Sequence, residues 1–445
     1  MKINYTLLAI AILFSINSRA QDSTYFTLSE SKNYALEHHL DIQNAYFNIE
    51  NAQQQIVETR GMGLPQIDLS GQFNHFINIP VSVVDATLFN PTAQPGEVME
   101  FRMGTEFSTT GTLQANQLLF NGSYIVGLQV SKYFKDFQES AAMSTKEDVV
   151  FNVIQAYQLA SIAKESLEFA DSMVVLTQNI VDKQQHFLEL GLMMQEDMDQ
   201  LSYSLLITKN AQIATEIQYQ NALTLLKLSM GYPMDEEIEI TETTDVLMME
   251  SALRTGDINS NLQLELMAKK VKLSSYNVKN NKFANLPSLY AFFSHSYNAY
   301  LSEFNFFEDE KWYPQTVWGL QLQVPVFSGL QRHARTQQAK ISLLKDQNTL
   351  EQLERVLVSQ EIQIKNNIKG AQDKLELQKQ NVELAQRIYN NAITKENIGK
   401  GNSITVTQKQ NQLMMAHSQY LGALMELLQA QLNLDKLHNN ILQNK

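Results

Sequence analysis

The placement of proline constrains this 445-residue chain more than any other feature. The eight prolines stand at 65, 80, 91, 95, 233, 287, 314 and 325. Two long stretches therefore contain none: from 96 to 232, and from 326 to the C-terminus. Because proline interrupts helix interiors, these stretches are where very long helices can form. In the first, a helix is predicted from about Ser123 to Leu190, with a length of ~100 Å at 1.5 Å per residue.

Each stretch contains a seam of residues spaced four and three apart, the pattern by which one helix packs on another. The first seam comprises Val149, Val153, Ala156, Ala160, Ala163, Leu167, Ala170, Val174, Thr177 and Val181. The second comprises Leu357, Glu361, Ile364, Ile368, Ala371, Leu375, Gln378, Val382, Ala385 and Tyr389. The two seams lie 208 residues apart, and Gly191 and Gly399 repeat at the same offset. The chain is therefore a tandem duplication of units of roughly 200 residues.

Two stretches that open on Leu-Pro, "LPQIDLSGQFNH" and "LPSLYAFFSHSY", break the helical pattern with strand-like alternation. With their return strands they predict one hairpin per repeat, at about 64–120 and 286–327. Strands of about ten residues with one apolar and one polar face suit a membrane barrel wall. The predicted pore-facing residues are Asp68, Ser70, Gln72, Asn74, Gln321 and Gln323. The predicted lipid-facing residues are Leu69, Phe73, Leu113, Trp318, Leu320 and Leu322.

Four strands cannot enclose a lumen, because a closed barrel needs at least eight. Several chains are therefore expected to share one barrel. Trp312 and Trp318 are expected to join neighbouring tyrosines and phenylalanines, Phe306 and Phe307 among them, in an aromatic girdle at strand ends. The alternative for these strands is a water-soluble β-layer packed on helices.

The first twenty residues have the order of a secretory signal peptide: Lys2, an apolar run from Leu7 to Ile16, then Ser18-Arg19-Ala20. Cleavage after Ala20 would leave 32 basic against 47 acidic residues, a net charge of −15. Such an acidic chain is a poor candidate for binding nucleic acid. The absence of cysteine excludes disulfides, thiolate metal sites and cysteine nucleophiles.

Catalytic and metal sites are not predicted. The sequence contains no G-x-S-x-G, H-E-x-x-H or phosphate-binding loop motif, and its eight histidines are scattered. The pairs Met193-Met194, Met248-Met249 and Met414-Met415 raise a copper-export hypothesis, but methionine more often fills gaps in a core. No cofactor is expected.

Over essentially the whole mature chain, the sequence resembles the outer-membrane efflux family of TolC-like proteins. The resemblance rests on the order and duplication of several phrases, since each alone is weakly specific. They are "FTLSESKNYALEHHLDIQNA", the two Leu-Pro strands, the pair "QLLFNGSYIVGLQVSKYF" and "VPVFSGLQRHARTQQAKI", and the glycine-marked breaks "LELGLMMQEDMDQL" and "NIGKGNSITVTQKQ".

The resemblance implies a mainly α-helical homotrimer in the outer membrane of a Gram-negative bacterium, extending into the periplasm. Each chain would give four strands to one twelve-stranded β-barrel, and antiparallel helical hairpins to a periplasmic tunnel. A periplasmic adaptor would link the tunnel to an inner-membrane pump of the RND or ABC type. Drugs, other small molecules or proteins would then pass through a passive conduit in contact with outer-membrane lipid. The alternative is a secreted structural or adhesive coiled-coil protein without a pore.

The resemblance also divides the chain. After the signal peptide, 1–20, the channel would occupy 21–445, with repeat 1 at about 21–230 and repeat 2 at about 255–440. The barrel hairpins would be 64–120 and 286–327, the tunnel 121–230 and 328–440, and an equatorial segment 231–261.

Two groups of functional residues follow from the resemblance at the helical ends. The adaptor-contact tips would be Leu190, Gly191, Leu192, Ile398, Gly399 and Lys400. The candidates for the periplasmic aperture are Glu196, Asp197, Asp199, Thr405 and Gln408. The family often rings this aperture with carboxylates in the second repeat, but Thr405 and Gln408 are not acidic here. A ring of the first-repeat carboxylates would attract cations, and a solvated helix face is the alternative.

Overall fold

The computed structural model describes residues 24–89, 91–250, 256–305 and 311–442. The predicted signal peptide and the aromatic positions Phe306 and Phe307 lie outside these ranges. The described residues form eight α-helices and eight strands. The helices are α1 Leu28–His38, α2 Leu40–Gly61, α3 Gly122–Glu189, α4 Gln195–Met230, α5 Thr244–Glu250, α6 Leu262–Phe283, α7 Gln331–Asn397 and α8 Ser403–Leu437. The strands are β1 Thr24–Phe26, β2 Gln66–His75, β3 Val81–Asp85, β4 Val98–Arg102, β5 Phe107–Phe120, β6 Ile238–Ile240, β7 Ser288–Leu301 and β8 Tyr313–Gln323.

The two proline-free stretches hold the predicted long helices. Helix α3 has 68 residues and α7 has 67, and each is followed by a helix of half that length. Most of the first seam is buried, and every residue of the second seam is buried or half-buried. The residues flanking the second seam on α7 are mostly exposed. The prediction of a duplicated, mainly helical fold built on long antiparallel hairpins is confirmed.

The chain divides into two compact units. The first comprises 1–49, 137–269 and 348–445, and the largest of its cores packs α1, α3, α4 and the short parallel sheet of β1 and β6. Tyr157 on α3 is fully buried there, and its hydroxyl donates a hydrogen bond to the carbonyl of Phe26 at 3.0 Å. This bond fixes the N-terminal strand against the helix.

The second unit, 50–136 and 270–347, contains a four-stranded antiparallel sheet in the order β2-β5-β7-β8. Each repeat supplies two adjacent strands, so the sheet carries the internal duplication. The extra loop residues of the first repeat form a second hairpin, β3 with β4, which the sequence pattern did not predict.

The strand bounds correct one expectation from the sequence. Trp318 lies in the middle of β8 instead of at its end, so of the two tryptophans only Trp312 adjoins a strand end. Within the described part of the chain, none of the helices has both the length and the apolar character of a bilayer-spanning segment.

Candidate functional site

The pairing of the four strands assigns each predicted wall residue to a face. Residues directly opposite one another in a sheet project to the same side. Asp68 is opposite Gln114, which is opposite Ser294; Leu69 is opposite Leu113. Following the register across the sheet, all six predicted pore-facing residues share one face. All six predicted lipid-facing residues share the other.

The apolar face is widely exposed in the single chain. Leu69 is 82% exposed and Trp318 77%, and the other four predicted lipid-facing side chains are all more than 40% exposed. Contiguous exposed apolar surface of this kind marks contact with a protein or a membrane.

The opposite face is polar and internally hydrogen-bonded. Asn74 donates to Ser108 at 3.3 Å, and Gln72 donates to Asn74 at 3.2 Å. Farther across the sheet, the Thr110 hydroxyl donates to the Asn298 side-chain carbonyl at 2.9 Å. Polar side chains that bond to one another along the strands form a surface suited to water.

Each of the two helical hairpins has a turn at its tip, and the two turns are of the same kind. Gly191 and Gly399 adopt left-handed φ angles of 67° and 71°. At the first turn, the Leu192 amide donates back to the carbonyl of Phe187 at 2.8 Å, and Lys400 makes the equivalent bond to Lys395 at 2.8 Å. This is the Schellman arrangement, in which glycine supplies the left-handed residue that ends the helix. Large apolar side chains at both turns are exposed: Leu190 70%, Leu192 71%, Ile398 60%.

The structure brings the two tips together. Gly191 and Gly399 line one cavity of about 720 Å³. Across it, the Lys183 ammonium of α3 lies 2.9 Å from the Glu396 carboxylate of α7, and it also donates to the side-chain oxygen of Asn397 at 2.9 Å. The Gln184 side chain donates to the same carboxylate. The Glu396 side chain is only 8% exposed, so one buried carboxylate ties the first hairpin to the second.

We expect Glu396→Ala to loosen both tips. The substitution removes the acceptor for Lys183, for the buried Gln184 and, at 3.5 Å, for the Ser403 hydroxyl, at a cost of about 1–3 kcal/mol. Amide hydrogen exchange across 183–192 and 396–404 should accelerate by roughly tenfold. Glu189→Ala is the matched control, because Glu189 is an exposed carboxylate at the same tip. Equal exchange in the two variants would contradict the assigned role of Glu396.

The aperture candidates lie in the first turns after the tips. Glu196 and Asp197 begin α4, where the positive end of the helix dipole stabilises carboxylates. Asp199 accepts a hydrogen bond from Gln195 at 2.8 Å, and the Thr405 hydroxyl donates to Asn402, the N-cap of α8, at 2.6 Å. Gln408 is exposed. Asp197 alone among the five also lines the tip cavity.

A buried polar layer lies behind the tips. Gln410 on α8 is fully buried and donates to the hydroxyl of Thr177 and to the carbonyl of Met173 on α3. Farther along α8, the ring of His417 meets the ring of Phe169 edge-on at 3.9 Å between centroids. Burial lowers the pKa of His417 below its ordinary value of 6.5.

His417 should make the stability of the first compact unit sensitive to acid. Because its pKa is lowered in the folded protein, the unfolded chain binds the proton first, and stability falls as pH drops below about 6.5. His417→Leu removes this loss, so the variant should retain its melting temperature between pH 7 and pH 5 better than the wild type. Melting curves across this range test it, with the exposed His186→Leu as control. Parallel curves for His417→Leu and wild type would contradict the expectation.

Sequence reasoning missed the residues that join the hairpins. Lys183 and Glu396 lie off the seams, and nothing in their spacing pairs them. An ion pair could have been predicted for Glu361, because a carboxylate at a seam position needs a cationic or hydrogen-bonding partner. The structure supplies the buried ring of His438 at 2.9 Å and Lys365 at 2.8 Å.

Comparison with known proteins agrees with this architecture. The sequence model of the outer membrane efflux protein family matches residues 258–440. The chain is 23% identical over 324 residues to the proteases secretion protein PrtF of Dickeya chrysanthemi, covering 71% of this chain and 67% of the relative.

Among solved structures, the fold is similar to that of CusC, with a TM-score of 0.73 and 14% identity over 95% of each chain. It is also similar to the CmeC outer membrane channel of Campylobacter jejuni, with a TM-score of 0.69 and 15% identity over 93% of this chain and 85% of that one. The second repeat therefore matches the sequence model of the outer membrane efflux protein family, and the chain as a whole has the fold of these solved structures.

Proposed function

We propose that three copies of this chain form an outer-membrane channel that serves as the passive conduit of a tripartite exporter. The observation that carries the proposal is the four-stranded sheet with one apolar and one polar face. Its edge strands, β2 and β8, leave their outer hydrogen-bonding groups without a strand partner among the described residues. Three such sheets, joined edge to edge, give twelve strands, enough to enclose a watery lumen.

In this assembly the apolar face contacts outer-membrane lipid and the polar face lines the pore. The predicted pore-facing and lipid-facing sets follow that division. For the barrel hairpins, the tunnel segments and the equatorial segment, the proposed bounds are those expected from the sequence. The alternative, a structural coiled coil without a pore, does not explain why the sheet has an exposed apolar face.

The hairpin tips are the proposed contact with a periplasmic adaptor. Their exposed apolar side chains, Leu190, Leu192 and Ile398, support this assignment. The adaptor would connect the channel to an inner-membrane pump of the RND or ABC type, which supplies the energy. Glu196, Asp197, Asp199, Thr405 and Gln408 remain the proposed aperture residues. Similarity to PrtF supports proteins as one cargo class, alongside drugs and other small molecules.

The experiment is purification from outer membranes followed by planar-bilayer recording. A heat-modifiable trimer that gives long-lived conductance steps is the expected result. Recovery as a monomer from the soluble fraction, without conductance, would overturn the proposal.

A further inference from the structure

One cavity of the second unit is not accounted for by transport through a water-filled barrel. Its volume is about 800 Å³. It lies where α2, the start of α3 and α6 meet the C-terminal end of β5 and the N-terminal end of β7. Tyr290 of β7 forms part of its wall and lies directly opposite Gln321, so the cavity borders the polar face of the sheet.

The lining combines aromatic rings with an acceptor that lacks a donor. The rings of Tyr124, Phe134 and Tyr290 contribute to the wall. The side-chain oxygen of Asn280 is buried and has no hydrogen-bond partner, which is costly unless a ligand or water supplies one. Gly63 leaves room for the Tyr124 ring, because a side chain at position 63 would collide with it.

The charge of the cavity has one sign. Glu58 is exposed and lines it, whereas the residues that the structure places around it include no lysine, arginine or histidine. Aromatic faces attract cations that lie over them, and a neighbouring carboxylate adds to that attraction. An acceptor, three rings and a carboxylate together favour a flat organic cation that carries N–H donors.

We propose that this cavity is a binding site for aromatic organic cations on the wall of the conduit. The inference deepens the proposed function, on which it rests, by naming a cargo class and its place of contact. A cation bound there would lie with its rings against Tyr124 and Tyr290, its charge towards Glu58 and an N–H towards Asn280.

The test uses ethidium, an aromatic cation with amino donors, and the full-length protein in nanodiscs of zwitterionic lipid. Ethidium fluorescence anisotropy should report saturable binding. Glu58→Gln should weaken that binding by about fivefold, the upper range for one partly solvated ion pair. Glu50→Gln is the matched control, because Glu50 is exposed on the same helix and does not line the cavity. Asn280→Ala should also weaken ethidium, and fluorescein, an aromatic anion, should not compete.

Absent binding, equal affinity in the Glu58 and Glu50 variants, or competition by fluorescein would overturn the site. Fluorescence anisotropy measures ethidium binding without any current through the protein. The binding site and the channel function can therefore be refuted independently. A conducting trimer that does not bind ethidium removes only the site. A protein that binds ethidium at Glu58 but neither trimerises nor conducts removes the proposed channel function.

Discussion

Leu69→Arg is expected to abolish assembly of the channel in the outer membrane. Leu69 lies on the apolar face about midway along β2, and 82% of it is exposed in the single chain. An arginine facing lipid near the bilayer midplane costs about 2–4 kcal/mol per chain, and a trimer would carry three. The measurement is the yield of heat-modifiable trimer in the outer-membrane fraction.

Ser70→Arg is the matched control for this substitution. Ser70 is the next residue of β2, faces the opposite side of the sheet and is also exposed. An arginine there would enter water, so near-normal trimer yield and altered ion selectivity are expected. If Leu69→Arg assembles and Ser70→Arg does not, the two faces have been assigned the wrong way round.

Glu147→Gln is expected to stabilise the first compact unit at and above neutral pH. Glu147 on α3 is 3% exposed, and one of its oxygens has no hydrogen-bond partner. Burial raises its pKa from 4.5 to about 7. The nearby Lys436 offsets this only in part, since its ammonium lies 2.7 Å from the carboxylate of Asp148.

The pH dependence follows from that shift. Between about pH 4.5 and 7 the folded protein holds a proton that the unfolded chain has released, so the wild type loses stability as pH rises through this window. Glutamine cannot ionise, so the variant should gain up to about 3 kcal/mol over the wild type above pH 7 and little at pH 4.5. Melting temperatures at both pH values measure the gain, with exposed Glu168→Gln as control. A gain that does not change with pH would contradict the role of ionisation.

The long helices and the sheet could be predicted because each rests on a pattern within its own segment. Proline placement bounds α3 and α7, the four-and-three spacing selects their buried faces, and alternation selects the faces of β2. The duplication predicted that Gly191 and Gly399 occupy equivalent positions. Both have the left-handed backbone that ends a helix at a glycine.

The contacts between repeats could not be predicted in this way. Lys183 finds Glu396 only after 212 intervening residues have folded, and Gln410 meets Thr177 by the same long-range packing. The cavity beside Tyr124 depends on Gly63, which sets how closely two chain segments approach. Such sites arise where elements meet, and the periodicity of one element carries no information about them.

Disulfide cross-linking can show whether copies of this chain share one closed barrel. The chain has no cysteine, so introduced pairs are unambiguous. Within one sheet, β2 and β8 are three strand spacings apart, about 14 Å, which is too far for a disulfide. Leu69→Cys combined in turn with Thr316→Cys, Trp318→Cys or Leu320→Cys places both thiols on the same face. At least one pair, oxidised in the membrane, is expected to give a covalent trimer as its largest product. Monomers from every pair, or a ladder that extends beyond three chains, would contradict a closed barrel shared by three chains.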